Sequence, residues 1–145
     1  MVKRVDPPEA AALLAEGWTY LDVRSIPEFD QGHATGAVNI PLLHFANGRM
    51  APNPDFQSVV VANYPKDAKL VVGCKMGGRS LRAAALLEAA GYTSVVDLRG
   101  GFDGERDPMG RVTVPGWSEC GLPVEAAAAC PAEKTYATLS RKSAG

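Results

Sequence analysis

Short apolar runs alternate along this chain with longer segments whose apolar residues recur at helical spacing. The apolar runs are rich in β-branched residues and too short for helices, so each predicts a buried strand. These predicted strands cover residues 18–23, 37–40, 69–73 and 93–98. Predicted helices lie before and between them, at residues 6–16, 25–30 (a short helix or a turn), 53–64 and 80–90. Strands alternating with helices predict an α/β fold, a parallel sheet with helices on both faces.

Capping and turn residues indicate where several elements begin and end. Asp6 and Glu9 form a capping-box pattern at the first helix, and Gly17 and Gly91 supply stops for two helices. Elsewhere the pattern is weaker, and the expected structures differ from segment to segment. We predict an irregular connection at 42–52 with a turn at 47–48, an edge strand or extended loop at 111–114, a short helix at 131–139 and frayed residues at 141–145.

The stretch 74–80 carries the clearest chemical signal. Cys74 follows a predicted strand, and a pair of glycines turns the chain into the next helix. Successive glycines let backbone N–H groups point inward as an anion-binding nest, and the helix N-terminus adds partial positive charge. Lys75 and Arg79 add full positive charges. A free cysteine is often a small buried hydrophobe, but these coinciding effects favour the thiolate and so predict that Cys74 is a nucleophile.

The predicted topology places further polar side chains near this cysteine. In a parallel sheet with helices on both faces, ligands bind beyond the carboxyl ends of the strands. Cys74 lies at one such end, and Asp22 and Arg24 lie at the end of another predicted strand. We therefore expect the functional site at this edge of the sheet.

Composition narrows the class of protein. A chain of 145 residues with 46% hydrophobic and 21% charged residues suits one domain with a real core, so we expect residues 1–145 to form a single domain. The net charge of −1 gives no support for a nucleic-acid partner. No apolar run reaches membrane-spanning length and the N-terminus lacks a signal-peptide core, so we expect a cytoplasmic protein. Three cysteines without CxxC or CxxH spacing argue against a disulfide framework or a metal site.

Five motifs in this sequence resemble, in the same order, those of the single-domain rhodaneses. They are Leu21-Asp22-Val23-Arg24, Glu28-Phe29, residues 32–41, the stretch 74–80 and Leu98-Arg99-Gly100-Gly101-Phe102. The resemblance covers residues 1–101 and returns at 121–124, which makes 102–145 a divergent loop and C-terminal extension. It implies the rhodanese-like three-layer fold, a central parallel sheet with helices on both faces, and an active-site loop that starts at a catalytic Cys74.

The resemblance also implies an activity, that of a thiosulfate:cyanide sulfurtransferase. Cys74 would take a sulfane sulfur from thiosulfate or a persulfide donor and hold it as a persulfide. A thiol or cyanide acceptor would then remove it. No metal or organic cofactor is expected, and the expected partners are a small anionic donor, a thiol acceptor and a sulfur-accepting protein.

Loop length bears on the alternatives, because the same fold hosts phosphatases and arsenate reductases. From Cys74 to Arg79 the spacing is C-x4-R, which resembles the sulfurtransferase members, whereas the phosphatase relatives use C-x5-R. The tighter ring suits a single sulfur atom. Two alternatives stay open: a Cys-based phosphatase or arsenate reductase, and a sulfur-relay or binding module that serves a partner protein.

The residues of the loop receive individual roles. We expect Lys75 to face the mouth and attract an anionic donor, and Met76 to form part of the rim. Gly77 and Gly78 are backbone devices, where a side chain would obstruct the ring. Ser80 is expected to cap the helix and to offer its hydroxyl toward the sulfur.

Four residues outside the loop, Asp22, Arg24, Glu28 and His33, complete the predicted site as supporting residues. Within the loop, Arg79 points either into the pocket or back to a carboxylate, and we favour Glu28 or Asp22 as the partner with which it braces the loop. Arg24 and His33 occupy family motif positions and, like Asp22, are read chiefly as structural.

The sequence departs from the family pattern in two places. Phe102 replaces the usual Trp, and a charged, Gly- and Pro-rich stretch delays Trp117, so that residues 102–124 either fold over the pocket or cover a sheet edge. Cys120 and Cys130 are the second departure. They are expected to be incidental, the alternative being that one accepts sulfur from the nucleophile or forms a disulfide with it.

Overall fold

The computed structural model describes residues 2–144, and these form eleven strands, five α-helices and three single-turn 3-10 helices. In chain order the strands are β1 (Lys3–Val5), β2 (Thr19–Asp22), β3 (His33–Ala34), β4 (Val38–Asn39), β5 (Leu43–Ala46), β6 (Arg49–Pro52), β7 (Lys69–Gly73), β8 (Ser94–Leu98), β9 (Glu105–Arg106), β10 (Val112–Val114) and β11 (Val124–Glu125). The α-helices are α1 (Pro7–Ala15), α2 (Ile26–Gln31), α3 (Phe56–Asn63), α4 (Gly78–Ala89) and α5 (Tyr136–Ala144). The 3-10 helices are Ser118–Cys120, Ala127–Ala129 and Ala132–Lys134.

Five of the strands form a central sheet in the order β1-β8-β7-β2-β4, and every neighbouring pair is parallel. The middle strand, β7, is an apolar β-branched run buried from Leu70 onward, as expected of a strand covered on both faces. Because all five strands run the same way, their carboxyl ends meet at one edge. Cys74 and Asp22 both lie at that edge, as the sequence predicted.

Helices cover both faces of the sheet, which confirms the predicted three-layer α/β architecture. Side chains alternate between the faces, so neighbours such as Val71 and Val72 belong to different halves of the core. One half contains Val72 and side chains of α3, α4 and α5. The other contains Val71, side chains of α1 and α2, and Trp117.

The predicted helix starts and stops are largely confirmed. The Asp6 carboxylate caps α1 by accepting the N–H of Glu9 at 2.9 Å. Gly17 and Gly91, which follow α1 and α4, have positive φ angles of 101° and 104° that favour glycine. Residues 26–31 form a helix with a capping box at Ser25.

Two predictions about local structure are wrong, and one strand was missed. Residues 42–52 are not irregular: β5 and β6 form an antiparallel hairpin around Asn47–Gly48, whose φ angles are both positive, as a tight hairpin turn requires. The N-terminal strand β1 was not predicted. The last helix, predicted at 131–139 with frayed residues after it, begins at Tyr136 and continues through Ala144. It packs on α3, where the Asn63 side chain donates to the Leu139 carbonyl; residue 145 lies outside the described residues.

The divergent stretch after the sheet forms a small hairpin of its own. The strand predicted at 111–114 exists as β10, and it pairs with β9 outside the central sheet. Within residues 2–144, no helix is long and apolar enough to cross a bilayer.

Candidate active site

Cys74 lies immediately after the central strand β7, and its side chain is 1% exposed. It packs with the half of the core that contains α3 and α4. The thiol therefore lies at the carboxyl end of the sheet, beneath the loop that follows it, and is shielded from bulk water.

The loop above Cys74 directs a backbone donor at the sulfur. The N–H of Gly77 donates to Cys74 Sγ at 3.1 Å. Gly77 has φ of +110° and is the N-cap of α4, which starts at Gly78 rather than at the predicted Ser80. The sulfur thus faces a backbone donor and the positive end of a twelve-residue helix, a combination that stabilises an anion.

A second loop, residues 100–103, holds the first one through its backbone. Phe102 N–H donates to the Cys74 carbonyl at 2.8 Å, and Asp103 N–H donates to the Lys75 carbonyl at 2.9 Å. A Cβ on Gly101 would lie 2.5 Å from the Cys74 carbonyl oxygen and 2.7 Å from the Lys75 backbone. Sequence reasoning assigned no role to this support, although the tandem glycines at 100–101 were a signal for close backbone approach.

The Arg79 side chain binds a carboxylate and so braces the loop. Its guanidinium donates two parallel hydrogen bonds to the Glu28 carboxylate, at 2.7 and 2.9 Å, and so ties the start of α4 to α2. Of the two predicted partners, Glu28 is the one it contacts. Burial by itself would raise the pKa of Glu28, but hydrogen bonds from Arg79 and from Ser25 outweigh it and lower that pKa to about 2.

Ser80 does not cap the helix, because Gly77 occupies the capping position. The buried Ser80 hydroxyl instead contacts a carboxylate oxygen of Asp97 at the end of β8, and the other oxygen of Asp97 accepts a hydrogen bond from Arg4 at 2.8 Å. Burial raises the pKa of Asp97 above its usual range despite these two donors. Sequence reasoning missed Asp97 and Arg4, since only the β1–β8–β7 pairing brings them to the loop.

Asp22 and Arg24 form a second buried ion pair at the same sheet edge. Arg24 Nη2 lies 2.9 Å from the Asp22 carboxylate and 2.7 Å from the Gly32 carbonyl. The guanidinium also stacks over the Phe102 ring, 4.6 Å from its centroid. The pair braces the loops around the site, in line with the structural role predicted for both residues.

A pocket of about 220 Å³ opens beside the Cys74 loop. It is lined by Arg24, Glu28, Gln31, Gly32, Lys75, Phe102 and Asp103. Residues 102–103 thus line the pocket. Of the two positions predicted for the divergent stretch, over the pocket or over a sheet edge, its start takes the first.

Lys75 and Met76 lie at the exposed side of the loop. The Lys75 side chain is 51% exposed, and its ammonium forms a long ion pair with Asp103 at 3.9 Å. It therefore lies at the pocket without a close hydrogen-bonded partner there. Met76 is 46% exposed, as expected of a rim residue. The prediction that a side chain at Gly78 would obstruct the loop is not supported by protein contacts, since a Cβ there would meet no atom within 4 Å.

His33 is not among the residues that line this pocket, although its neighbour Gly32 is. Its fully buried ring contacts the Phe29 carbonyl through Nδ1 at 2.8 Å and the Glu125 carboxylate through Nε2 at 3.1 Å. The contact with Phe29 joins β3 to α2 and the contact with Glu125 joins β3 to β11, so both are structural contacts of the kind predicted for this histidine.

The other two cysteines are not in disulfides. Cys120 is exposed, and Cys130 packs against the half of the core opposite to that of Cys74. The alternative, that Cys120 or Cys130 accepts sulfur from Cys74 or forms a disulfide with it, stays a prediction; for Cys130 the two thiols belong to opposite halves of the core.

A buried tyrosine beneath the site has no hydrogen-bond partner. Among the side chains that the structure describes, Tyr20 Oη is the one buried polar atom that lacks a partner. A Cβ on Gly73 would lie 2.6 Å from this oxygen, so the glycine before Cys74 leaves room for the tyrosine ring. Burial raises the pKa of Tyr20 well above its usual value, and the hydroxyl stays neutral.

Comparison with known proteins gives a consistent family signal. The family model of the rhodanese-like domain matches residues 6–105. Thiosulfate sulfurtransferase 16, chloroplastic, of Arabidopsis thaliana is 40% identical over 114 residues, which are 79% of this chain and 85% of that protein. Protein HIGH ARSENIC CONTENT 1, mitochondrial, of the same plant is 40% identical over 101 residues, which are 70% of this chain and 60% of that protein.

Several plant relatives are longer than this chain, which spans about 60% of their length. Among solved structures, that of Rv0390 from M. tuberculosis superposes with a TM-score of 0.72 at 24% identity, covering 86% of this chain and 97% of that one. At that identity the likeness concerns the fold.

Proposed function

The chain belongs to the family of rhodanese-like domains, and on that premise we propose that it is a sulfurtransferase with Cys74 as its nucleophile. The observation that carries the proposal is the Gly77 N–H placed 3.1 Å from a buried Cys74 Sγ at the start of a helix. A relative named thiosulfate sulfurtransferase matches most of the chain, which supports thiosulfate as the donor class.

The proposed first step is attack of the Cys74 thiolate on the sulfane sulfur of thiosulfate. A new S–S bond forms to Cys74, the S–S bond of thiosulfate breaks, and sulfite leaves with the electron pair. The product is a Cys74 persulfide with a negative terminal sulfur. The Gly77 N–H and the helix N-terminus stabilise negative charge at this position.

The second step transfers that sulfur to an acceptor. A thiolate or cyanide attacks the terminal sulfur, the persulfide bond breaks, and Cys74 leaves as the thiolate with its electron pair. No net oxidation of the protein occurs over the cycle. Lys75, half exposed at the pocket, attracts the anionic donor and acceptor.

Arg79 and Arg24 take positioning roles in this proposal. The guanidinium of Arg79 is occupied by Glu28 and that of Arg24 by Asp22, so both cations hold loops in place. Their charge still contributes to the positive field around the sulfur.

Arsenate reduction is a second candidate, and one observation favours it: a relative that is 40% identical over 101 residues carries the name Protein HIGH ARSENIC CONTENT 1. Such a reaction needs a thiol cosubstrate as the two-electron reductant. The C-x4-R spacing of the Cys74 loop weighs against it and against phosphatase activity. Arsenite formation with glutathione that disappears in Cys74→Ser would establish arsenate reduction, and aryl phosphate hydrolysis that disappears in the same variant would establish phosphatase activity.

Intact mass after incubation with thiosulfate tests the sulfurtransferase proposal. We expect a gain of one sulfur atom (about 32 Da) that Cys74→Ser abolishes and that Cys120→Ser and Cys130→Ser retain. Cyanide should remove the added mass and yield thiocyanate. A folded wild-type protein that gains no sulfur from thiosulfate or from a small persulfide overturns the proposal.

The cytoplasmic location stays a prediction. The names of two relatives place them in a chloroplast and in a mitochondrion. Fractionation of cells that express the full natural gene product tests the location.

A further inference from the structure

The C-terminal segment is attached to the core by the short antiparallel pair of β3 and β11. In this pair His33 lies directly opposite Glu125, although the two residues are 92 positions apart in sequence. The register places an imidazole and a carboxylate on facing strands, away from the Cys74 loop.

The His33 ring is fixed in one orientation. It is fully buried and stacks on the Phe29 ring with 3.7 Å between centroids. Its Nδ1 lies 2.8 Å from the Phe29 carbonyl oxygen, and because a carbonyl only accepts, Nδ1 carries the hydrogen of this contact. Metal-binding histidines commonly hold the second ring nitrogen in this way, which directs the lone pair of the first toward the ion.

The Nε2 atom of this ring faces another acceptor. Glu125 Oε1 lies 3.1 Å from Nε2 and also accepts the Gly36 N–H at 3.2 Å. Two atoms that both carry lone pairs attract each other only through a positively charged hydrogen or a metal ion. A proton between the two atoms, as in an imidazolium–carboxylate ion pair, or a metal ion completes this contact.

A thiol is the third member of the group. The ligand atoms of His33, Glu125 and Cys130 all lie within 4.8 Å of one another. Cys130 is partly buried, and its Sγ also lies 3.5 Å from the Pro131 carbonyl oxygen.

We propose that His33, Glu125 and Cys130 form a binding site for a divalent transition-metal ion of the zinc type. Nitrogen, oxygen and sulfur donors together suit Zn²⁺, which takes four ligands in a tetrahedral arrangement and leaves the fourth position here to water. On binding, the Cys130 thiol loses its proton to solvent and its thiolate forms the metal–sulfur bond. The site joins the C-terminal segment to the core and is separate from the sulfur chemistry of Cys74.

The positions of the ligands along the chain explain why the sequence alone does not indicate this site. Cys130 follows Glu125 by five residues, but His33 comes from the first third of the chain. The expectation of no metal site relied on cysteine spacing alone, whereas here the β3–β11 register assembles the ligands.

Cobalt spectroscopy on the full chain tests the proposal. Combining Cys74→Ser and Cys120→Ser leaves Cys130 as the sole thiol of the chain, so a thiolate-to-cobalt charge-transfer band reports on this residue. We expect one Co²⁺ per chain, displaced by Zn²⁺, and a rise of several degrees in Tm with either ion. X-ray absorption of the Zn²⁺ form should show one sulfur and at least one imidazole in the first shell.

Matched variants distinguish this site from adventitious metal binding. In the same background, Cys130→Ser should remove the charge-transfer band, and Glu125→Gln, which keeps an oxygen for the Gly36 N–H, should weaken binding at least about tenfold. His44→Gln, at the other histidine of the chain, should change neither. Absence of the band at millimolar Co²⁺, its survival in Cys130→Ser, undiminished binding in Glu125→Gln, or an equal loss in His44→Gln overturns the proposal.

Discussion

Arg79 and Glu28 are joined by two parallel hydrogen bonds across 51 residues of sequence, Nη1 to Oε1 at 2.7 Å and Nη2 to Oε2 at 2.9 Å. The side chains are 16% and 23% exposed. A two-pronged contact of this kind fixes both the distance and the orientation of the groups it joins. It holds the start of α4, and with it the Gly77 N–H, at a fixed position relative to α2.

Glu28→Gln should weaken both the fold and the activity. It leaves the half-buried Arg79 cation without a charged partner, so we expect the free energy of unfolding to fall by roughly 1–3 kcal/mol. The displaced loop should lower kcat/KM for thiosulfate between about tenfold and a hundredfold. Glu9→Gln, in the exposed pair with Lys3, is the control and should cost less than about 1 kcal/mol. Equal effects of the two variants would contradict the bracing role.

The same ion pair predicts a pH dependence of stability. The folded-state pKa of Glu28 is about 2, below its ordinary value of 4.5. A lowered pKa in the folded state stabilises the protein above the ordinary value, and this contribution disappears as the pH falls from about 4.5 toward 2. The stability difference between wild type and Glu28→Gln should therefore be full at neutral pH and shrink through this range. Urea unfolding at several pH values measures it, and a difference that grows on acidification would show that the sign is wrong.

Gly101→Ala should disrupt the loop that carries Cys74. The new Cβ would overlap the Cys74 and Lys75 backbone, and the residue has φ of +60°. Overpacking and left-handed strain together should lower the free energy of unfolding by roughly 2–5 kcal/mol. Gly110→Ala is the matched control, because its φ is +84° and nothing lies within 4 Å of the new Cβ. We expect about 1–2 kcal/mol there, from strain alone, and near-normal persulfide formation by intact mass.

Tyr20→Phe should stabilise the protein. The substitution removes a buried hydroxyl that has no partner and keeps the ring that packs edge-on against Trp117, so we expect a gain of about 1 kcal/mol. Tyr92→Phe is the opposite case, since its hydroxyl donates to the Tyr64 carbonyl at 2.7 Å, and it should lose about 1 kcal/mol. Thermal unfolding of both variants compares them, and a destabilised Tyr20→Phe would indicate that the hydroxyl has a partner in solution.

Much of the fold follows from local signals that the sequence carries. The strand before Cys74, the glycine turn after it and the helix beyond are set by residues within about twenty positions, so pattern and turn chemistry predict them. Strand β1 has only Val5 buried and forms because β8 offers it a parallel edge. The strands β5 and β6 are mostly exposed and show no apolar alternation, so the turn at 47–48 was the one sign of them.

Part of the candidate site could likewise be predicted from the sequence, and part could not. Cys74, Gly77 and Arg79 were predictable because the spacing within one loop defines them. Asp97 and the support from Gly101 were not, because their contacts depend on which strand pairs with β7 and on how closely two loops approach. The metal ligands proposed at β3 and β11 likewise depend on strand register, which a single sequence does not display.

The backbone contacts of Phe102 and Asp103 with the loop have an evolutionary consequence. They join main-chain atoms to the carbonyls of Cys74 and Lys75, so the frame around the nucleophile does not depend on the identity of the outward-facing side chains. Substitutions at Lys75 and Met76 can therefore change which donors and acceptors bind at the pocket while the backbone around Cys74 keeps its geometry.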